Sequence, residues 1–511
     1  MGRPGARTGP IFTACSEPLT RPATLPELRA HYGERYRWLL LFAVMVGSVA
    51  AIMSSTIVNV AVPDMSRHFA LGQDRAQWVS SGFMVAMTVS MLTTPWLLAR
   101  HGYRRTYTGT MWVLMAGGVV GGFSNDFSLV LAARVAEGLA AGVVQPIPAI
   151  VVMRAFEPHE QGRAMSIFGL GAVLAPALGP SLGGILVDWF GWRSIFFMVV
   201  PFCLASLWLS MRFVPSGAPG GGGANRNGPG LDWPSLLLAT AGTLGLLNGL
   251  VQLHAGLSPG VLALLLGALL AFAWFVARQR QLSAAMARGE PGAPLMNLAL
   301  FADRRFAMGS LVAFIYGTAL FGSTYLLPVY MQVGLQLAPS HVGTILLPAG
   351  LALACTIALV GRFADRQPTH RLVSIGLALL AAAFALIQAV RLDTALWVLV
   401  ALTILGRIGL GFILPSLNLG AMRGLHRDLI PQGASAINFV RMLGGAAGVS
   451  LCGIVLEWRL AAHGDSLANA GSSAARLAAF NESFLMLAAL CLLALPAAWQ
   501  LRAPSAPERA P

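Results

Sequence analysis

The chain has 511 residues, of which 56% are hydrophobic and 11% charged, whereas soluble globular domains carry about 25% charged residues. So few charges exclude a soluble fold, and we expect an integral membrane protein. The net charge of +14 arises from 34 basic residues, all of them arginine, against 20 acidic ones. The arginines lie in small groups between apolar stretches, which is typical of a membrane topology signal and speaks against a nucleic-acid-binding domain.

Fourteen apolar stretches are long enough for membrane-spanning helices, each of which needs about 20 residues. The sequence therefore predicts an all-α polytopic membrane protein, and the even number of spans places both termini on one side. The predicted spans cover residues 38–62, 76–98, 106–124, 127–153, 164–187, 194–214, 232–253, 259–277, 306–332, 342–361, 372–390, 395–422, 434–457 and 484–501.

The distribution of arginine predicts the orientation. The loops and tails on the side of the termini hold 25 arginines, and the opposite loops hold 6. Since cytoplasmic loops are enriched in basic residues, both termini are expected in the cytoplasm of a bacterial cell, with the protein in its inner membrane. Residues 1–37 contain no apolar h-region and are interpreted as a disordered tail, not a signal peptide. The five cysteines show no ligand spacing, so we expect neither a disulfide nor a metal site.

A break in composition divides the chain. Residues 215–230, PSGAPGGGGANRNGPG, have no apolar face and are interpreted as a flexible linker. Residues 278–305 form a second polar stretch, in which arginine is mixed with leucine and methionine. This composition favours an amphipathic segment on the cytoplasmic membrane surface. The predicted parts are a cytoplasmic tail (1–37), a six-helix bundle (38–214), the linker, two accessory helices (231–277), the amphipathic segment (278–305), a second six-helix bundle (306–501) and a cytoplasmic tail (502–511).

The two six-helix bundles repeat two motifs at corresponding places. The fourth helix of each carries Arg-x-x-x-Gly, beginning at Arg134 and at Arg407. Two homologous bundles of this kind indicate a transporter. The loop after the second helix of each bundle carries glycine and charged residues at similar spacing: Arg100, Gly102 and Arg104 in the first, and Gly361, Asp365 and Arg366 in the second.

The fifth helix carries the most specific motif, APALGPSLGG at residues 175–184. It is similar to the antiporter motif G-x-x-x-G-P-x-x-G-G, with Ala175 in place of the first glycine. Together with TIVNVAVP at residues 56–63, it gives a chain that resembles the major facilitator superfamily, and within it the fourteen-span drug:proton antiporters of EmrB/QacA type, from about residue 38 to 501. The resemblance implies the major facilitator fold with two extra central helices. It also implies multidrug efflux driven by the proton gradient, without a cofactor.

The residues of the fifth helix also predict a function without reference to the family. Pro180 removes a hydrogen bond in the middle of the span, and Gly184 follows shortly after it. A helix face of small residues that is interrupted by a proline predicts a gating helix, which moves against a neighbouring helix. The alternative is ordinary packing of membrane helices. The stripe that allows close approach recurs every four positions: Gly171, Ala175, Gly179 and Gly183.

Two departures from the family pattern concern charge. Ser54 stands where the family has an aspartate in the first helix, and Glu137 stands where it has a glutamine in the fourth. An ionisable group at the bilayer centre costs at least about 2.5 kcal/mol, and Glu137 is the only acidic residue well inside a predicted span. We therefore predict that Glu137 carries the proton and that Arg134 couples it to substrate. The alternative is a neutralised structural pair.

Polar and aromatic side chains at membrane depth are candidates for the wall of a substrate cavity. Each of them could equally form a hydrogen bond between helices. The predicted cavity residues are Ser54, Asn59, Gln145, Tyr316, Tyr325, Asn418, Asn438 and Arg441.

The function predicted on these grounds is secondary active transport. A metabolite transporter of the same superfamily, importing or exporting, is the main alternative, since fold does not fix substrate or direction. A polytopic membrane enzyme is disfavoured because no loop offers HExxH, paired aspartates or a Ser/His set. The expected partners are small amphiphilic molecules and the lipid bilayer, with no nucleic acid. We expect a monomer. A periplasmic membrane-fusion adaptor is an additional partner that the sequence neither predicts nor excludes.

The orientation can be tested with an inserted tag. A protease-cleavable tag at residues 220–230 should resist protease added outside intact cells, because the arginine bias places this linker in the cytoplasm. The same tag after residue 392, in a predicted external loop, should be cut. Cleavage of the linker tag from outside would reverse the orientation.

Overall fold

The computed structural model describes residues 25–217, 228–253, 256, 258–289, 292–466 and 473–502. This part of the chain is helical, with no strand. Most of the predicted N-terminal tail, residues 218–227 of the predicted linker and the C-terminal tail from residue 503 lie outside the described residues.

The first half contains ten α-helices among the described residues. Short 3₁₀ turns connect some of them, as at Met91–Thr93. The helices are α1 (Leu25–Tyr32), α2 (Tyr36–His68), α3 (Gln73–Ala76), α4 (Trp78–Ser90), α5 (Thr94–His101), α6 (Tyr103–Phe123), α7 (Phe127–Val144), α8 (Ile147–Ala155), α9 (Gln161–Phe190) and α10 (Ser194–Phe213).

Two central helices and a second set of six follow. A π-helical turn, Tyr330–Gly334, extends the first helix of the second set. The helices are α11 (Trp233–Gln252), α12 (Pro259–Ala287), α13 (Arg304–Val329), α14 (Pro339–Arg366), α15 (Thr369–Leu386), α16 (Leu396–Met422), α17 (Ile430–Ala462) and α18 (Ala474–Trp499).

Twelve helical spans of the described part are long and apolar enough to cross a membrane. They correspond to twelve of the fourteen predicted spans, and the two others fall on α6 and α9. Both are long helices, of 21 and 30 residues. In α6, threonines and glycines replace much of the aliphatic sequence, which lowers its hydropathy. A total of fourteen spans therefore stays a prediction.

Proline and polar residues interrupt two of the predicted spans. The span at 127–153 consists of α7 and α8, which are separated by a turn at Gln145 and Pro146. The span at 76–98 likewise changes helix before Pro95, which occupies the first turn of α5. Proline lacks the N–H that continues a helix, so each helix restarts at these points.

The same helix pairs pack in both halves. In the first half, α2 packs against α9 and α10, and α7 packs against α4 and α6. In the second half, α13 packs against α17 and α18, and α16 packs against α14 and α15. Each set of six thus has the same internal arrangement, as expected for a structural repeat.

The two halves meet along a limited set of helices. The main contact between them joins α9 to α14. In addition, α17 of the second half contacts α4, α5 and α8 of the first half. The helices α9, α14 and α17 therefore border the interface between the halves.

The two central helices form a hairpin beside this interface. The first of them, α11, packs against both α4 and α17, whereas α12 exposes large apolar side chains such as Leu270 and Trp274. Arg278 Nη2 donates to Asp232 Oδ1 at 2.8 Å and closes the hairpin. Helix α12 continues beyond this contact to Ala287, ten residues past the predicted end of the span.

Candidate functional site

Three polar side chains are buried together in the first half. Ser54 lies on α2, and Arg134 and Glu137 lie one turn apart on α7, each exposed by 2% or less. Arg134 Nη1 donates to the carboxylate of Glu137 and, at 2.8 Å, to Ser54 Oγ. Ser54 Oγ in turn donates to Glu137 Oε2 at 3.1 Å, and Arg134 Nη2 donates to the Ser54 carbonyl oxygen at 3.0 Å. We call these three residues the polar cluster.

Helix α4 forms one wall of the polar cluster. The guanidinium carbon of Arg134 lies 4.2 Å from the centre of the Phe83 ring, and Arg134 Nε donates to the Val79 carbonyl oxygen at 3.4 Å. A guanidinium group over an aromatic face is a favourable electrostatic contact. Arg134 therefore has partners on α2, α4 and α7 and does not reach toward either end of its helix.

Helix α6 forms the opposite wall and leaves space for the glutamate. A Cβ atom at Gly117 would collide with the side chain of Glu137, and one at Gly118 would lie 3.4 Å from Glu137 Oε1. Glycine at position 117 therefore lets the side chain of Glu137 fit between α6 and α7, whereas Gly118 makes room for the Phe196 carbonyl oxygen. Among the described residues Glu137 Oε1 has no hydrogen-bond partner, although it is buried. One carboxylate oxygen is thus left without a donor.

The polar cluster brings together Ser54 and Glu137, the two residues that depart from the family pattern. Ser54 and Glu137 are 83 positions apart in the chain, yet their side chains are hydrogen-bonded. The carboxylate on α7 therefore reaches the position on α2 where an aspartate is expected from the resemblance. Arg134 contacts both residues and holds the acidic group beside it.

The other predicted cavity residues are not gathered in one place. The side chain of Asn59 is exposed, and its Oδ1 accepts from Ser80 Oγ at 2.7 Å, which is the helix-to-helix bond given as the alternative. Gln145 is buried at the turn between α7 and α8, Asn418 is buried in α16, and Tyr325 is partly exposed on α13.

A second polar group lies in the other half. Arg441 Nη2 donates to Asn438 Oδ1 at 2.7 Å on α17, and Asn438 Nδ2 donates to the Ala434 carbonyl oxygen at 2.9 Å. Tyr316 on α13 is 2% exposed and lies within electrostatic range of Arg441. Three of the predicted cavity residues, Tyr316, Asn438 and Arg441, therefore belong to one neighbourhood.

The glycine stripe of α9 faces α2. A Cβ atom at Gly179 would overlap the hydroxyl of Thr56, and one at Gly183 would lie 2.7 Å from Ile57 Cγ1. Gly171 faces Met45 and Val49 of α2, and Ala175 is buried at 1% exposure. Gly184 faces open space, and the side chain of Pro180 lies outside the described residues. The stripe thus packs α9 on the helix that carries Ser54.

The beginning of α9 makes a different contact, with α14. Asp365 Oδ1 accepts from the Gly162 amide at 2.6 Å, and Oδ2 accepts from the Arg163 amide at 3.0 Å. A carboxylate is favourable at a helix N-terminus, where amide groups lack helical partners. Asp365 of the second-half loop motif therefore binds directly to the first half.

Further polar contacts between the halves lie at this same face. Arg154 Nη2 donates to the Arg427 carbonyl oxygen at 2.7 Å, and Arg423 Nη2 donates to the Pro158 carbonyl oxygen at 3.3 Å. We call this side, which carries the α8–α9 connection, the latch face. Within the described part of the chain, every hydrogen bond between the two halves lies at the latch face.

In the first-half loop motif, the side chains of Arg100 and Arg104 donate hydrogen bonds to backbone at the two ends of the linker. Arg100 Nη1 donates to the Gly228 carbonyl oxygen at 2.9 Å, and Arg104 Nε donates to the Val214 carbonyl oxygen at 2.7 Å. Gly102 has a φ of +79°, which other residues rarely adopt, and it forms the turn between α5 and α6. Ala99 stands in the first-half motif at the position of Asp365 in the second, and it has no charge, so the two loop motifs have different contacts.

Residues 44–253 and 245–449 match the Major Facilitator Superfamily. The chain belongs to the major facilitator superfamily. A multidrug resistance protein B homolog of Mycobacterium tuberculosis is 28% identical over 427 residues, which cover 81% of this chain and 75% of that protein. The riboflavin transporter RibZ of Clostridioides difficile is 23% identical over 462 residues, which cover 90% of this chain and 96% of that protein.

The fold agrees with a solved structure of the same superfamily. The proton:xylose symporter XylE superposes with a TM-score of 0.61 at 12% identity, over 91% of this chain and 95% of that one. These findings confirm the predicted all-helical major facilitator fold and a membrane transporter in place of an enzyme. The finer assignment to the fourteen-span antiporters stays a prediction.

The packing of α9 on α2 can be tested at two glycines of one motif. Gly179→Leu should leave the protein inserted in the membrane but reduce dye transport at least about tenfold, because the side chain would force α9 away from Thr56. Gly184→Leu should be tolerated, since a Cβ atom there meets no other atom within 4 Å. Membrane content by immunoblot and dye flux in cells measure the two effects. Equal transport by both variants would show that the stripe is not a tight contact.

Proposed function

We propose that this protein is a proton-coupled exporter of small amphiphilic molecules in a bacterial cytoplasmic membrane. The polar cluster carries this proposal, because it holds a buried carboxylate with one unbonded oxygen beside an arginine. Buried ionisable groups in transporters are typical of proton relays. The similarity to a multidrug resistance protein homolog supports drug-like substrates.

The polar cluster offers a defined place for one proton. When Glu137 is ionised, its Oε2 accepts from both Arg134 and Ser54, which compensates the charge. A proton on Oε1 would neutralise Glu137 and leave Arg134 with a weaker partner. The two protonation states therefore differ in how strongly α7 is tied to α2, the helix on which the α9 stripe packs. This is the kind of bistable element that can couple protonation to rocking of the helices.

The latch face is the proposed cytoplasmic side. It carries Arg154, Arg163, Arg423 and Arg427, in keeping with the arginine bias of the loops. Its hydrogen bonds hold the halves together on that side, so the described conformation corresponds to a state closed toward the cytoplasm. In this proposal α6 and α9 also span the bilayer, which gives the fourteen spans of the EmrB/QacA type and places both termini in the cytoplasm.

Transport of a metabolite is the second candidate. The relative named as a riboflavin transporter covers nearly the whole chain, at an identity similar to that of the drug-resistance homolog. A flux assay that offers both riboflavin and lipophilic dyes separates the two. Riboflavin flux without dye flux would favour the metabolite transporter.

The proton site can be tested by removing the charge of Glu137. In proteoliposomes, Glu137→Gln should lower dye export driven by a pH gradient at least about tenfold, because the amide cannot take up and release a proton. Exchange of labelled for unlabelled dye without a gradient should continue, which shows that the variant is folded and binds substrate. Asp393→Asn, which alters an exposed carboxylate, is the matched control and should behave like the wild type.

Ser54→Asp gives a second arm of the same assay. An aspartate there would share Arg134 with Glu137 and should change the pH dependence of export. Undiminished gradient-driven export by Glu137→Gln would leave Glu137 as a structural partner of Arg134 only.

A further inference from the structure

The two halves differ in charge at equivalent positions. Arg407 occupies in α16 the place that Arg134 has in α7, since each begins the Arg-x-x-x-Gly motif of its half. Three residues later, the first half has Glu137 and the second has Leu410, which is buried. The acidic partner of the first half thus has no counterpart in the second.

Arg407 lies in the middle of α16 beside a small cavity. Residues of α13, α15 and α16 line this cavity, among them Ser323, Phe384 and Leu410. Arg407 forms no ion pair or hydrogen bond with any described residue. Its guanidinium group is therefore a charge without a counter-charge inside the second half.

Arg441 is a second cation in the same region, in the middle of α17. Its single described hydrogen bond is to the neutral Asn438, and its buried Nε has no partner among the described residues. Helix α13 approaches α17 closely here, because Gly317 lies against the Arg441 carbonyl group. The hydroxyl of Tyr316 lies within electrostatic range of both Arg441 and Arg407.

Acidic residues of the surrounding helices do not compensate these cations. On α14, Asp365 binds the amides of Gly162 and Arg163 at the latch face. On α18, Glu482 is paired with Arg459, and Glu457 lies five residues before the end of α17. Two unpaired cations in the middle of spanning helices are unfavourable unless an anion joins them.

Arg441 lies on α17, one of the helices that border the interface between the halves. Helix α17 contacts α4, α5 and α8 of the first half, and Arg441 is only partly buried. A guanidinium group with free N–H donors binds carboxylates and sulfonates through two parallel hydrogen bonds. Arg407 also lies within electrostatic range of Tyr316 and adds positive potential there.

We propose that Arg441, supported by Tyr316 and Arg407, binds the acidic group of an anionic amphiphilic substrate. This inference rests on the proposed export function and specifies its substrate class as organic monoanions. Arg441 contacts the anion directly, while Arg407 acts through the electrostatic potential. The first half then takes the proton, and the second half takes the negative charge of the substrate.

The test uses two probes that differ in one charge. Dansyl-leucine carries a carboxylate, and dansyl-leucinamide is its neutral counterpart. In proteoliposomes with an imposed pH gradient, the wild type should export dansyl-leucine in preference to the amide. Arg441→Gln should reduce export of the carboxylate at least about tenfold, equivalent to about 1.4 kcal/mol, and leave export of the amide unchanged. Arg407→Gln should reduce carboxylate export less, and Arg441→Lys should retain part of it.

Arg371→Gln, which removes an exposed arginine of α15, is the matched control and should leave both fluxes unchanged. Fluorescence titration of the purified protein with the two probes gives a readout independent of transport, in which Arg441→Gln should weaken binding of the carboxylate alone. Equal handling of the two probes by the wild type, or undiminished carboxylate export by Arg441→Gln, would overturn the anion site while leaving the export function intact. Failure of the wild type to export either probe or any lipophilic dye would instead overturn the proposed function itself.

Discussion

The packing at the centre of the first half depends on the ion pair between Arg134 and Glu137. Both side chains are almost completely buried, so each charge has lost its water and depends on the other. Removing one partner of such a pair typically costs about 3 to 5 kcal/mol, because the remaining charge stays buried without compensation. The surrounding sequence follows from this constraint: Gly117 makes room for the carboxylate, and Phe83 covers the guanidinium group.

The ion pair also explains why a serine can stand at position 54. Arg134 needs an acidic partner in a low-dielectric environment, and that partner can be attached to α2 or to α7. In this chain it is attached to α7, and Ser54 becomes the hydrogen-bond donor that links the pair to α2. The second half retains an arginine at the equivalent place but no acid, which is why its charge is available for a ligand in our proposal. In this proposal the first bundle binds the proton and the second bundle binds the substrate anion, although the two bundles have the same fold.

Much of the fold could be predicted from the sequence because apolar stretches of span length have few alternatives in a membrane. The repeat was visible in the Arg-x-x-x-Gly motifs, and the burial of Glu137 could be expected from its position within an apolar span. The contact between Ser54 and Glu137 could be suspected from their paired departure from the family, but its geometry depends on how α2 and α7 pack. Asn59 shows the limit of prediction from the sequence, because its position in the span could not show that its Oδ1 accepts a hydrogen bond from Ser80 Oγ.

Helix breaks and extensions were also harder to predict. The turn at Gln145 and Pro146 lies inside an otherwise apolar run, and α12 continues past its apolar part, where Arg278 meets Asp232. The turn follows from the missing N–H of Pro146, which is local in the sequence. The contact of Arg278 with Asp232, in contrast, is formed only in the tertiary structure, which is also what leaves Arg441 and Arg407 without an acid.

The central claim is that protonation of Glu137 is coupled to export, which requires the proton and the substrate to exclude each other on the protein. It is tested most directly by measuring the protons that purified protein releases on substrate binding, with a pH-indicator dye in weakly buffered detergent solution. We expect release of up to one proton per bound lipophilic dye molecule from the wild type and none from Glu137→Gln, with binding retained by both. Substrate binding without proton release by the wild type across the pH range of transport, or equal release by the variant, would contradict it.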